Sequence, residues 1–204
     1  MTGRHPATAA QRTELLHRML LLRAREQGTP FGEEAVAVGL RCALGPSDTL
    51  LPAYPPDGPA HAVELAADDI RRHRPAATVC FVGPGGAPGL AGTLGHAVED
   101  RLPVLFCCAD QLDGHPAGCE CLAAEDVDGT DVEAVALAAQ LALHPVRAGA
   151  GPRLLHLRTY AGGPGPRHDP IRILADRMRT DHQLDEHALD ALARHAARVG
   201  GCPF

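Results

Sequence analysis

The densest run of side chains able to do chemistry is CCADQLDGHPAGCEC, residues 107–121. Asp110, Asp113, His115, Cys119 and Cys121 offer the oxygen, nitrogen and sulfur donors that zinc accepts. Their spacing is Cys-x-Cys with one nearby histidine, and no second Cys/His pair follows at finger distance. The segment therefore reads as a polar loop with free thiols, with no metal expected. Cys107 and Cys108 close the apolar run before it. Successive strand residues point to opposite faces, so one thiol faces each side of a sheet. Small apolar packing is the commoner role for such thiols and for Cys80, and nucleophilic attack the rarer one.

A second concentration is CFVGPGGAPG, residues 80–89, where an apolar run stops at a glycine turn. Backbone amides at Gly85, Gly86 and the start of a following helix could cradle an anion. Pro84 and Pro88 each remove a donor from that set. His96, on the helix after the turn, is an acid/base candidate whose plainer role is a hydrogen-bonded interface residue. His168 lies in a second loop, AGGPGPRHDP, and is the other candidate of this kind. His156 reads as a satisfied core histidine. Glu33 and Glu34 suit the first turn of a helix through its dipole. There is no Gly-x-Ser-x-Gly elbow. A phosphate loop that needs Lys is excluded, because all the cations are Arg.

Composition narrows the class. The 204 residues suffice for one α/β domain with a helical tail. Aromatic residues make up 3%, without Trp, so Ala, Val and Leu must form the core and help from a partner surface is expected. A net charge of −6 argues against a nucleic-acid partner. No apolar stretch is long enough for a membrane span, and MTGRHPATAAQR lacks the apolar core of a secretion signal. The expected location is cytoplasmic. The seven cysteines are then reduced.

The elements that must hold these groups follow from periodicity. Residues 1–10 read as a disordered arm. Helices are predicted over 11–27, 32–44, 60–73, 89–101 and 131–149, the last ending near Pro145, with two more over 170–180 and 186–198. Apolar runs at 77–83, 102–110 and 152–160 predict three strands, the first two buried on both faces. Residues 46–60, with five prolines, and 111–126 read as loops. Strands alternating with helices predict an α/β fold, a three-layer, doubly wound, mostly parallel sheet with a C-terminal helical pair. Ligands in such sheets bind beyond the carboxyl ends of the strands, here near 83–86, 110–113 and 160–163.

An ordered series of segments carries a resemblance. These are LLHRMLLLRAREQ, GEEAVAVGLRCALGPSDTLLPAY, VCFVGPGGAPGLAGTLGHAVEDRLPVLFCCADQ, VDGTDVEAVALAAQLALHPVRAGAGPRLLHLRTY and DPIRILADRMRTDHQLDE. Together they resemble a shortened, divergent alpha subunit of the thiamine-diphosphate-dependent 2-oxo acid dehydrogenases, the pyruvate and branched-chain type. The resemblance implies a thiamine-diphosphate-binding-like domain over 11–165 and a helical extension over 166–204. It implies cofactor contacts at Tyr54, Gly83, Gly85, Gly86, Asp110 and Gln111. In that family a magnesium ion rests on an Asp of the glycine turn and on an Asn about thirty residues later. Pro84 and Gln111 stand at those places, and Pro55 replaces the arginine that follows the tyrosine. Thiamine diphosphate binding is thus expected to be weakened.

Three functions fit these residues. The first is an alpha-like subunit of a heteromer, in which a beta-type partner carries most of the decarboxylation or two-carbon transfer. The second is a non-catalytic scaffold with the same partner surface. The third is a repurposed, cofactor-free small enzyme that uses the 110–121 loop. Small residues Gly89, Ala91, Gly92 and Gly95 predict that the 89–101 helix packs closely on another chain.

Overall fold

A computed structural model of the chain describes residues 7–25, 33–51, 58–82, 90–110, 121–160 and 167–200. Among them are seven helices and five strands. The strands are β1 (Thr49–Leu50), β2 (Thr78–Val82), β3 (Val104–Asp110), β4 (Ala124–Asp128) and β5 (Arg153–Arg158). They form one sheet in the order β1-β2-β3-β5-β4, and every pairing is parallel. The helices are α1 (Ala9–Arg25), α2 (Glu34–Ala43), α3 (Gly58–Arg71), α4 (Leu90–Glu99), α5 (Val132–Arg147), α6 (Pro170–Thr180) and α7 (Glu186–Gly200).

The layers follow from the direction in which the chain steps. It moves one way along the sheet from β1 to β3, and a right-handed crossover puts α3 and α4 on one face. Ala62, Val63 and Ala66 of α3 and Leu90, Leu94 and Ala97 of α4 pack there on Cys80, Val82, Phe106 and Leu154. From β4 the chain steps back to β5, and α5 falls on the opposite face beside α2. Val36 and Leu40 of α2 and Val135, Ala139 and Leu143 of α5 pack there on Val79, Leu105, Cys107, Leu155 and Leu157. The two helices touch closely at Gly39, where a Cβ would come within 2.7 Å of Val135 Cγ1.

A further layer covers α2 from outside. Leu16 and Met19 of α1 and Leu174, Ala175 and Met178 of α6 form a core with Ala35 and Val38, which Leu189 and Leu192 of α7 partly cover. The helix nearest the amino end of the chain and the two at the carboxyl end therefore share one core. Ion pairs tie it down. Arg12 contacts Glu133 at 2.9 Å and also Asp181, while Arg177 reaches Asp131 at 2.7 Å and also Glu133. Asp131 caps α5 as well, accepting from the amides of Glu133 and Ala134.

Several expectations need correction. Two strands were not foreseen. β4 begins within the stretch read as a loop over 111–126 and runs on to Asp128, and β1 lies inside the proline-rich loop over 46–60. β4, AEDVD, has no apolar alternation because it is an edge strand, largely exposed, and edge strands carry charge. β1 spans two residues, too few for any periodic signal. The first helix starts at Ala9, inside the expected disordered arm. Thr8 and Gln11 form a reciprocal cap: Thr8 Oγ1 accepts from the Gln11 amide at 3.2 Å, and Gln11 Oε1 accepts from the Thr8 amide at 2.9 Å. α5 runs past Pro145 to Arg147, because a proline in the last turn removes a single hydrogen bond.

Candidate functional site

The sheet is wound in both directions, so its crevice is set by where the connections part. The helices after β1 and β2 lie on one face and the helix after β4 lies on the other. The parting falls at β3 and β5, and a ligand in such a sheet sits beyond the carboxyl ends of those strands. Backbone register aligns three residues at that edge. Asp110 is the partner of Arg158, and Arg158 is the partner of Asp128. Asp128 turns back on its own chain and accepts from the Thr130 amide at 2.9 Å and the Thr130 hydroxyl at 2.7 Å. Gly129, between them, donates its amide to the Arg158 carbonyl at 2.8 Å. A Cβ at Gly129 would lie 2.7 Å from that carbonyl oxygen, so only glycine lets β4 leave the sheet here.

Two residues deeper along the strands is a second row. Cys108 of β3, His156 of β5 and Asp126 of β4 are register partners. His156 Nδ1 lies 2.7 Å from Asp126 Oδ1. The histidine is 1% exposed and Cys108 is fully buried, while the Asp126 side chain is 64% exposed. The row therefore runs from solvent at the sheet edge to the interior.

Of the residues singled out from sequence, Tyr54, Gly83, Pro84, Gly85, Gly86, Gln111, Asp113, His115 and Cys119 lie outside the described residues. Asp110 is described as the last residue of β3, opposite Arg158. Cys121 is exposed, just before β4. His96 faces solvent from α4 and lies 3.7 Å from Asp100. Gly92 and Gly95 share that helix, and each has open space where a Cβ would be. His168 stacks on Tyr160 just beyond β5, ring centroids 3.7 Å apart. Next to it Asp169 caps α6 and takes two hydrogen bonds from Arg23. Burial works to raise the Asp169 carboxyl, but the Arg23 guanidinium and the Ile171 amide outweigh it and hold it below the ordinary range. Arg23 also binds the buried Glu34 at 2.8 Å, so that carboxylate joins α1 to α2.

The two strand thiols do face opposite sides. Cys107 packs among apolar residues on the α2/α5 face, and Cys108, the register partner of His156, is on the other. His156 is satisfied, as expected, but by a carboxylate that sequence reasoning placed in a loop. Asp126 was missed altogether. The available signal was the turn DVDGTD, whose Asp and Gly mark the end of an element and the start of α5.

Among the described residues no three His, Cys, Asp or Glu side chains are grouped so as to hold a metal ion. A cleft of about 480 Å³ between α6 and α7 is lined by Arg172, Asp176, Arg179 and Glu186, which are already paired with one another. Among the described residues no helix is long and apolar enough to cross a membrane. The chain matches no protein-family model and no curated protein at a significant level.

Proposed function

We propose that the chain is an alpha-like subunit of a thiamine-diphosphate-dependent 2-oxo acid dehydrogenase or two-carbon transferring heteromer, in which a beta-type partner carries most of the chemistry. One observation carries the reading. The sheet is all parallel and wound in both directions, and β2 and β3 end at Val82 and Asp110, where in the sequence the resemblance places its glycine-rich segment and its Asp-Gln pair. The outward side of α4 adds support, since Gly92 and Gly95 leave a smooth strip on which another chain's backbone can approach closely.

The donor set does not fit a magnesium diphosphate held by this chain alone. Pro84 has no ligand oxygen and no amide hydrogen, and Gln111 offers only a neutral amide. No step is routed through the cofactor on these residues. The same misfit favours a second reading, a scaffold that keeps the fold and the partner surface without the chemistry.

Titration calorimetry with thiamine diphosphate and Mg²⁺, on the chain alone and then with its beta-type partner, separates the two. Heat with the partner supports the catalytic heteromer; heat in neither case leaves the scaffold. The double change Pro84→Asp, Gln111→Asn is expected to give Mg²⁺-dependent binding. No gain would overturn the assignment of these two positions.

A further inference from the structure

The first and last helices of the described residues, α1 and α7, each bring a histidine to the seam between them. α7 is lightly held. Among its residues 186–199 only Ala196 is buried, while Leu189 and Leu192 are partly covered by the core that α1 helps to form. His195 stands beside Ala196, one turn beyond Leu192, and meets His17 of α1. The ring centroids are 5.3 Å apart and the planes are tilted by 42°, an arrangement neither stacked nor edge-to-face.

A second observation falls on the same pair. His17 Nε2 is hidden from solvent and has no hydrogen-bond partner. A buried polar atom in that state has given up its bonds to water with nothing in return, and an ion is one of the partners that restores them. Imidazole nitrogen suits zinc, copper and nickel. With Zn–N bonds of about 2.0–2.1 Å and a tetrahedral angle, two rings that share one ion have their centroids about 5 Å apart. The spacing of His17 and His195 matches that requirement.

We propose that His17 and His195 bind a zinc ion between them, with water completing the tetrahedral shell, and that the ion clips α7 onto α1. His17 supplies Nε2 and His195 one ring nitrogen. His195 is exposed, which gives the ion its way in. A closed structural site uses four protein ligands, so this two-histidine site holds its metal more loosely and exchanges it with solution. An ion that binds only when α7 is docked stabilises the docked helix by mass action.

The test uses the full chain without a polyhistidine tag. Hydrogen exchange is read by mass spectrometry, segment by segment, at constant pH as ZnCl2 is added. Saturating zinc is expected to slow exchange across residues 186–199 at least about 10-fold, because these amides exchange through local opening that the ion suppresses. MgCl2 at the same concentration is expected to leave α7 unchanged, since magnesium takes oxygen ligands. His195→Ala and His17→Gln are each expected to abolish the zinc effect. His195 is exposed, so its variant keeps the fold, which zinc-free exchange in α5 checks. Exchange in α7 that zinc does not slow would overturn the proposal. So would slowing that survives His195→Ala, since it would place the ion on other groups.

Discussion

Two aspartates at opposite edges of the sheet show how differently this molecule uses the same side chain. Asp48 precedes β1 at the amino end. Its side chain is 2% exposed, and it accepts from the amides of Gly45 at 2.7 Å and Ala77 at 2.9 Å and pairs with Arg147 at the end of α5. Asp126 is the middle residue of β4, the other edge strand. It is 64% exposed and holds the ring of a buried histidine. The first is enclosed by donors after α2, before β2 and at the end of α5, so removing it loosens all three. The second bonds one side chain from a solvent-exposed position, so removing it disturbs the fold less. Burial with full satisfaction marks a carboxylate that holds the fold together, whereas an exposed one that bonds a single ring contributes little to it.

Acid should produce the largest change, and it acts on the first kind of carboxylate. At Asp48, Asp131 and Asp169 burial works to raise the carboxyl, while an arginine and backbone amides outweigh it and hold each below its ordinary 3.8. The unfolded chain protonates these groups first, near about 3.9. Their contribution is therefore complete above about pH 5 and is lost as pH falls through the lower folded values. Urea midpoints measured from pH 7 down to pH 3 should fall steeply below about pH 4. A flat profile would place the stabilising pairs elsewhere.

Next in size, Asp48→Ala should lower the unfolding free energy by about 3 kcal/mol, since it leaves the Gly45 and Ala77 amides and Arg147 without their shared acceptor. Urea titration at pH 7 reads this directly, and a loss below about 1 kcal/mol would remove the contrast with Asp126. The smallest effect is expected at the other edge. Asp126→Asn should change stability by no more than about 0.5 kcal/mol, because an exposed amide oxygen still accepts from His156. If its cost matched that of Asp48→Ala, Asp126 would be structural too.

Much of the frame is legible without coordinates, for physical reasons that differ by element. β2 and β3 are buried on both faces and so read as unbroken apolar runs, and α6 is marked by Asp169 as cap and Pro170 in its first turn. The start of α1 was also written, in the Thr8–Gln11 pair, though periodicity alone passes over it. β4 was not legible, because an edge strand has little buried side to impose a pattern, and with β4 went Asp126.

The sequence by itself determined the alternation of strand and helix and the placing of Cys107 and Cys108 on opposite faces of a sheet, because local sterics and the two-residue period of a strand depend only on near neighbours. Only the tertiary structure decided which thiol shares a strand register with a histidine. Cys108, Asp126 and His156 lie far apart along the chain and become neighbours because β5 inserts between β3 and β4. That strand order is a choice among non-local pairings, fixed by how α2 and α5 pack on one face of the sheet and α3 and α4 on the other, and no local pattern records it.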